Sequence, residues 1–132
     1  MIEVFAAFIA RVREVAALDD TAVFDGRPLG VNLPPMYLCV FDMTPTYRDA
    51  RLDASRGSGV HTFSVQHVGT DPDEVRFLVG QTTGLLIRHR LVVAGRTSTP
   101  LQKIAGQNIT PDDPMAPQFY VATDVWRCAL NI

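Results

Sequence analysis

Residues 60–74 read VHTFSVQHVGTDPDE and decide the fold, because a strand pattern passes there directly into a helix start. From Val60 to Val68 apolar and polar side chains alternate, which predicts a strand with one buried and one polar face. The buried face carries Phe63 and Val65, and the polar face carries Thr62, Ser64 and Gln66.

A helix is predicted immediately after this strand. Asp71 can cap its first turn, Pro72 suits the first helical position, and the acidic residues at 73 and 74 complement the helix dipole. Apolar side chains then recur at helical spacing as far as about Val92. The sequence therefore predicts a helix from Pro72 to about Val92, with Arg88 and Arg90 in its last turns, where positive charge suits the dipole.

The segment before the strand combines a second strand with a long polar loop. Met36–Asp42 is apolar on both faces and rich in β-branched and aromatic residues, which predicts a central strand. Residues 44–59, TPTYRDARLDASRGSG, hold only Tyr47 and Leu52 as large apolar groups. Loops longer than about 12–15 residues are uncommon in compact domains and tend to be functional or disordered. We therefore expect a long mobile arm at 44–59.

Outside this centre the patterns predict four more elements and a loop. They are an amphipathic helix over Ile2–Leu18, a short strand over Ala22–Phe24, a strand over Ser98–Ala105, a proline-rich loop over Asn108–Pro117 and a final strand over Phe119–Leu130. Adjacent strands on both sides of the long helix can pair as hairpins. We therefore predict an α+β fold in one domain over residues 1–132, with a single largely antiparallel sheet of about four to five strands and both helices on one face.

The composition argues against two classes of protein. The chain has 132 residues, and its twelve basic and fourteen acidic side chains give a formal charge of −2. This balance leaves no basic excess for neutralising many phosphates, which argues against sequence-independent nucleic-acid binding. Stretches poor in charge fall well short of the ~20 apolar residues that span a bilayer, so we expect no membrane association.

Glu3 lies where a signal peptide would carry positive charge, so the chain is expected to stay where it is made.

Few side chains can act as acids, bases, nucleophiles or metal ligands near neutral pH. His61 and His67 share one strand face but lie about 20 Å apart, too far to bind one metal ion. His89 falls near the predicted helix end, where a partly buried imidazole complements the dipole. Cys39 and Cys128 sit inside apolar runs without a CxxC pattern, which predicts two buried thiols.

Two further patterns are weak signals for chemistry. Asp112-Asp113, between prolines, is typical of solvated turn acids rather than of a carboxylate pair for Mg²⁺. Gly57-Ser-Gly59 is followed by a strand, whereas a phosphate-binding loop requires a helix there. We therefore expect no catalytic residue, no cofactor and no metal site, and a protein that is not an enzyme.

The charge pattern of the arm at 44–59 is its most specific feature. Arginines alternate with aspartates, so the segment can meet a copy of itself or a polar partner with both signs satisfied. A solvated, flexible loop is the alternative explanation. Ordering each arm residue on assembly costs up to about 1–2 kcal/mol of backbone entropy, so it requires a large partner surface. The interface candidates are Tyr47, Arg48, Asp49, Arg51, Asp53 and Arg56.

The order of these elements resembles one protein family along nearly the whole chain. The resemblance rests on the N-terminal amphipathic helix, residues 23–28 (VFDGRP), 37–42 (YLCVFD) and 61–69 (HTFSVQHVG), the helix start at 71–74 (DPDE) and the closing 119–127 (FYVATDVWR). With these motifs the chain resembles the tail terminator, or tail completion, proteins of long-tailed bacteriophages, especially the minor tail proteins of phages that infect actinobacteria. None of the motifs is a chemical signature.

This resemblance implies a virion ring rather than a catalytic site. A homohexameric ring, assembled in the host cytoplasm, would cap the tail tube protein at its head-proximal end, stop tube polymerisation and offer its other surface to a head-completion or connector protein. DNA would pass through without sequence-specific binding, because six copies would carry six times the formal charge of −2 and would not attract phosphates. The arm becomes the candidate intersubunit or tube-facing element. Lumen or tube-facing candidates are Thr62, Ser64 and Gln66.

Three alternatives remain open from the sequence. A head–tail connector or stopper protein of the neck would use a similar ring subunit on the head side of the joint. A small α+β enzyme or ligand-binding domain would need a concave pocket with convergent polar groups and a shifted pKa, for instance around His61 or His67. A nucleic-acid reader would need clustered arginines, and Arg76, Arg88 and Arg90 form only a thin stripe.

Overall fold

A six-stranded sheet lies at the centre of the computed structural model, which describes residues 2–28, 33–44, 59–113, 115 and 119–130. Among the described residues three strands lie between the two helices and five follow the second helix, and a short 3₁₀ turn, Asp20–Ala22, precedes the first strand. The helices are α1 (Ile2–Val12) and α2 (Pro72–Leu86), and the strands are β1 (Val23–Asp25), β2 (Tyr37–Asp42), β3 (Val60–Gly69), β4 (Arg90–Val93), β5 (Arg96–Pro100), β6 (Gln102–Gly106), β7 (Thr110–Pro111) and β8 (Tyr120–Ala129).

The strand order in the sheet is β1-β2-β3-β8-β6, and β7 also pairs with β8 on the edge that β6 occupies. The first pair, β1 and β2, is parallel, and the other pairs are antiparallel. This arrangement confirms the predicted α+β class with a largely antiparallel sheet. The sheet has six strands rather than four to five, because the short β7 adds one, and β4 and β5 form a separate two-stranded sheet.

Both helices pack on one face of the sheet, as predicted. Phe63 of β3 stacks on Phe8 of α1 with ring centroids 4.3 Å apart, and the imidazole of His67 lies 2.6 Å from the hydroxyl of Thr82 in α2. Because Phe63 and His67 are both odd-numbered on one strand, they share a face, which we call the helix-facing side. None of the helices in the described part of the chain is long and apolar enough to cross a membrane.

The first helix ends at Val12 instead of continuing to Leu18. The N–H of Arg13 still donates to the carbonyl of Ile9 at 2.9 Å, whereas the next two N–H groups donate to carbonyls three residues before them. Val15 is nevertheless buried. The apolar spacing therefore continues through turns of 3₁₀ type after the α-helix has ended.

The second helix begins as predicted, with the carboxylate of Asp71 accepting a hydrogen bond from the N–H of Glu74 at 2.9 Å. It ends at Leu86, well before the predicted end, because the chain becomes extended at the next residue and Arg88 then adopts a left-handed backbone with φ 63°. The prediction that Arg88 and Arg90 lie in the last helical turns is therefore wrong.

The predicted strand at 98–105 is one segment that bends at Leu101 and serves two sheets. Its first part, β5, pairs with β4, and its second part, β6, pairs with the edge of β8. Leu101 is 1% exposed. Its N–H donates to the carbonyl of His89 at 2.8 Å, and its carbonyl accepts from the N–H of Arg88 at 3.2 Å. The buried leucine thus turns the chain from one sheet to the other.

Candidate assembly surfaces

The second face of the sheet is covered by neither α-helix. Side chains with even numbers on β3 point to this face, together with their cross-strand neighbours on β2 and β8. We call it the open face. It comprises Tyr37, Cys39, Phe41, Thr62, Ser64, Gln66, Val68, Val121, Thr123, Val125 and Arg127.

The predicted lumen or tube-facing residues all lie on the open face. Thr62 and Gln66 are partly exposed there. Ser64 is only 5% exposed, because its small side chain lies between its cross-strand neighbours Phe41 and Val125. The polar part of the face therefore presents Thr62 and Gln66 to a partner, and Ser64 much less.

One end of the open face is aromatic, which the alternation along β3 did not indicate. The ring of Tyr37 lies edge-on to Phe24 and Phe119, with centroid distances of 5.7 and 5.9 Å. Cys39 and Val68 are buried in the same cluster. Burial raises the pKa of Tyr37 above its usual value. The sequence feature that could have indicated this cluster is the strand at residues 37–42. Its side chains are apolar on both faces, so both faces of the strand need packing partners.

The arm at 44–59 begins and ends on neighbouring strands. At its start Met43 donates its N–H to the carbonyl of Thr62 at 2.8 Å, and Thr62 donates its N–H to the hydroxyl of Thr44 at 3.1 Å. At its end Leu130 donates its N–H to the carbonyl of Gly59 at 2.8 Å. The start of the arm is therefore hydrogen-bonded to β3, and its end is hydrogen-bonded to the residue that follows β8.

The sequence between these strands is longer than closure of a hairpin requires. Loops of two to five residues join antiparallel strands, whereas residues 45–58 all lie between Thr44 and Gly59. These residues fall outside the part of the chain that the structure describes. The interface candidates Tyr47, Arg48, Asp49, Arg51, Asp53 and Arg56 all belong to them and stay predictions.

The two strand histidines are buried in the helix-facing side and bonded to protein groups. Nδ1 of His67 donates to the carbonyl of Ala122 at 3.0 Å, so its Nε2 accepts from the hydroxyl of Thr82 at 2.6 Å. Burial lowers the pKa of His67, which keeps the ring neutral at physiological pH. Nε2 of His61 donates to the carbonyl of Leu130 at 3.1 Å. Neither ring lines an open groove described below.

Both cysteines are buried free thiols, as predicted. Burial raises the pKa of Cys39 to about 11 and also raises the pKa of Cys128. Because the thiolate is the reactive form, neither side chain is a nucleophile near neutral pH. Within the described residues, no group of three or more His, Cys, Asp or Glu side chains is arranged to hold a metal ion.

An ion pair between a buried carboxylate and a partly exposed lysine lies on the helix-facing side and was not evident from the sequence pattern. The carboxylate of Asp124, 4% exposed, lies 3.1 Å from Nζ of Lys103. This Nζ also donates to the hydroxyl of Thr83 at 2.8 Å and lies 5.6 Å from the ring centroid of Trp126. The sequence feature that could have indicated the pair is the position of Asp124 two residues before Trp126 on one strand. The two side chains share a face, and a carboxylate on a buried face requires a cation.

Two open grooves lie on the described surface. The first, which we call the basic groove, encloses about 630 Å³ and is lined by Ile87, Arg88, Arg90, Pro100, Leu101, Gln102 and Lys103. The second encloses about 500 Å³ and is lined by Arg76, Val79, Gln107, Asn108, Ile109 and Ala122. Neither lining includes a His, Cys, Asp or Glu. These two grooves therefore lack the acid–base groups that an enzyme pocket brings together.

The fold recurs in solved structures, although no protein-family model and no curated protein matches this chain. One similar chain belongs to the "Virion of native gene transfer agent (GTA) particle", with a TM-score of 0.66, 18% sequence identity and complete coverage of both chains. A second solved chain, which carries no functional description, has a TM-score of 0.66 and 16% identity over 96% of this chain and 92% of its own length. At these identities the likeness shows a shared fold.

Proposed function

We propose that this protein is a structural component of a phage-like virion rather than an enzyme. The observation that carries the proposal is the fold likeness to a chain of the gene transfer agent virion, which extends over the whole of both chains at a TM-score of 0.66. The burial of His61 and His67 in hydrogen bonds to protein groups and the raised pKa values of both thiols support it, because these four side chains are not placed to act as acids, bases or nucleophiles.

Within the virion, we propose the role of tail terminator. Six copies form a ring at the head-proximal end of the tail, cap the tube, stop its polymerisation and receive the head-completion or connector protein. DNA passes through the lumen, and the formal charge of −2 on each copy supports passage without tight phosphate binding. Each subunit acts as one domain over residues 1–132, with the arm at 44–59 reaching a neighbour or the tube.

The open face supports a role in contacts with other proteins. Its aromatic end supplies apolar area through the partly buried Phe41, Phe119 and Val121 around the buried Tyr37. Its polar part supplies the partly exposed Thr62 and Gln66. Protein interfaces combine such an apolar core with a polar rim. We therefore assign the lumen or tube-facing surface to the open face, with Thr62 and Gln66 at its polar part and Ser64 beneath it.

Native mass spectrometry across protein concentration, followed by addition of purified tail tubes, tests this role. We expect hexamers, or monomers that become rings seen by electron microscopy at one end of each tube. Rings that bind the portal side of heads and ignore tubes would support the neck connector instead. A monomer that ignores both heads and tubes would overturn the virion role.

The arm is tested by deleting residues 48–56, which removes most of the interface candidates. We expect the variant to keep its circular dichroism spectrum and melting temperature, because both ends of the arm are hydrogen-bonded to strands that stay intact. Ring assembly or tail joining should be lost. The matched control is Arg76→Ala in the exposed Arg76–Asp73 pair of α2. Unchanged assembly of the deletion variant would remove the arm from the proposal.

A further inference from the structure

The basic groove lies where α2 ends and joins positive charge to apolar surface. Ile87, the residue after the helix, is 50% exposed although its side chain is large and apolar. Arg88 and Arg90 line the same groove and are exposed. An apolar side chain beside two guanidinium groups fits a ligand that has a carboxylate next to an apolar group.

The two arginines are the cations that remain for a partner. The third cation of the groove, Lys103, is already paired with the buried carboxylate of Asp124 at 3.1 Å. The ion pairs Arg11–Glu14, Arg76–Asp73 and Lys103–Asp124 use neither Arg88 nor Arg90, although Nη1 of Arg90 donates to the carbonyl of Ser98 at 3.4 Å. Because guanidinium groups bind carboxylates through two parallel N–H bonds, an acidic side chain of a partner is the matching group.

The backbone at Arg88 supports a function for its side chain. Its φ of 63° is uncommon and strained for a residue with a Cβ. Glycine or asparagine would relieve this strain, whereas arginine brings a cation to the edge of the groove. Strained residues of this kind concentrate at functional sites.

An exposed acidic turn after β7 carries the complementary groups. Met115 is 92% exposed, and Asp113 is exposed beside it. The carboxylate of Asp112 accepts hydrogen bonds from the N–H groups of Asp113 at 2.8 Å and Phe119 at 3.2 Å. The carboxylate of Asp113 accepts a hydrogen bond from the N–H of Met115 at 2.9 Å, which leaves its second oxygen for a partner. The acidic turn, defined by Asp112, Asp113 and Met115, thus holds a carboxylate next to a residue with an adaptable thioether.

The basic groove and the acidic turn lie at opposite ends of one sheet edge. Thr110 of β7 pairs with Val121 near the start of β8, whereas Gln102, which lines the groove, pairs with Arg127 near its end. The distance from Val121 to Arg127 along β8 is about 20 Å at the usual rise per strand residue. The acidic turn of one copy therefore does not reach the basic groove of the same copy. The acidic turn of a second copy can bind in that groove, which joins the two copies head to tail.

We propose that the basic groove of one copy binds the acidic turn of the next copy. Met115 packs on Ile87, and Asp113 pairs with Arg88 and Arg90. The contact is heterologous, and repetition of a heterologous contact closes into a ring when the rotation between copies permits. This inference rests on the ring assembly proposed above and assigns one interface of that ring.

Disulfide trapping tests the contact, because the native thiols are buried and protonated. Ile87→Cys and Met115→Cys are made as separate single variants and mixed under mild oxidation. We expect covalent dimers that contain one of each variant, and the double variant should give a ladder of oligomers. The matched control replaces Ile87→Cys with Phe77→Cys, since Phe77 is 51% exposed, lies ten residues earlier in the body of α2 and does not line the basic groove. It should give at least tenfold less cross-linking.

Charge reversal provides the second test. Arg88→Glu with Arg90→Glu, or Asp113→Arg alone, should each weaken self-association by about tenfold or more, and the variant with all three changes should recover most of the loss. Circular dichroism melts show that each variant is folded. If the wild-type protein assembles but trapping and charge reversal have no effect, the groove assignment is overturned and the ring stands. If the wild-type protein stays monomeric with and without tubes, the ring and this interface both fail.

Discussion

The two faces of the sheet use the same alternating strands for different purposes. On the helix-facing side Phe63, His67 and Trp126 are fully buried. On the open face Thr62 and Gln66 stay partly exposed, although Tyr37, Cys39, Ser64 and Val68 are buried there. The difference indicates that the stability of the subunit resides mainly on the helix-facing side, which leaves the open face available for contacts with other proteins.

The largest expected change in the free energy of unfolding comes from Phe63, and the adjacent Thr62, which points to the opposite face, is its control. Phe63→Ala removes a fully buried ring that stacks on Phe8, so we expect a loss of about 3–5 kcal/mol in the free energy of unfolding. Thr62→Ala should change it by less than about 0.5 kcal/mol. Urea denaturation followed by Trp126 fluorescence measures both. Equal losses would contradict the division between the faces.

The Lys103–Asp124 ion pair, of which only the carboxylate is buried, tests whether charge on the helix-facing side behaves differently from charge on the surface. Lys103→Met leaves the carboxylate of Asp124 buried without its cation, so we expect a loss of about 1–3 kcal/mol. The matched control is Arg76→Met, because the Arg76–Asp73 pair is exposed and contributes about 0.5 kcal/mol or less. A loss no larger than that of the control would mean that water replaces the lysine at Asp124.

The buried imidazole of His67 predicts a pH dependence of stability. Burial lowers its pKa in the folded state below 6.5, so the unfolded chain takes up the proton first as the pH falls. The stabilisation is complete above about pH 6.5 and is lost as the pH falls from there through the folded pKa, by about 1.4 kcal/mol for each unit of lowering. Urea denaturation of His67→Gln at pH 7.5 and 5.5 should show a smaller difference than in the wild type. If the free energy of unfolding changes equally between the two pH values in the variant and the wild type, His67 is not the source of the pH dependence.

The smallest expected change in the free energy of unfolding comes from a substitution on the outer surface of α2, at Gly80. A Cβ at Gly80 would meet nothing within 4 Å, so Gly80→Ala should raise the free energy of unfolding by about 0.5–1 kcal/mol through better helix propensity. At Gly69 a Cβ would lie 2.9 Å from Cβ of Glu74, so Gly69→Ala should lower it. Thermal melts of both variants check the opposite signs. A destabilising Gly80→Ala would reveal a neighbour on that surface.

Local chemistry made the centre of the fold predictable. The alternation from Val60 to Val68 gave the strand and the correct side chains on each face, because burial of one face imposes a period of two. The start of α2 followed from Asp71 and Pro72, since the cap acts through residues within one turn. The buried thiols followed from their apolar surroundings.

The ends of both helices could not be predicted, because no residue at those positions stops a helix by itself. Arg88 takes a left-handed conformation that sequence patterns associate with glycine. Val15 and Val92 continue the apolar spacing although neither lies in an α-helix, and Val92 is 63% exposed whereas its neighbour Leu91 is buried. Likewise, the bend at Leu101 depends on hydrogen bonds to the chain around His89, which is a tertiary contact.

The candidate surfaces were predictable only in part. The shared face of Thr62, Ser64 and Gln66 followed from strand parity, whereas the burial of Ser64 depends on Phe41 and Val125 on neighbouring strands. The basic groove joins residues from either side of the β4–β5 hairpin. Spacing along the chain does not show that such residues meet.

The register between β3 and β8 makes folding of this chain a non-local event. Val60 pairs with Ala129 and Gly69 pairs with Tyr120, with α2 and four strands between them in the sequence. Such pairing is slow, because a long loop must close before the contacts form. On the ribosome β8 emerges after every other described strand, so the helix-facing side lacks Trp126 until then. A newly made subunit therefore becomes competent for assembly only after residues 120–129 have left the exit tunnel.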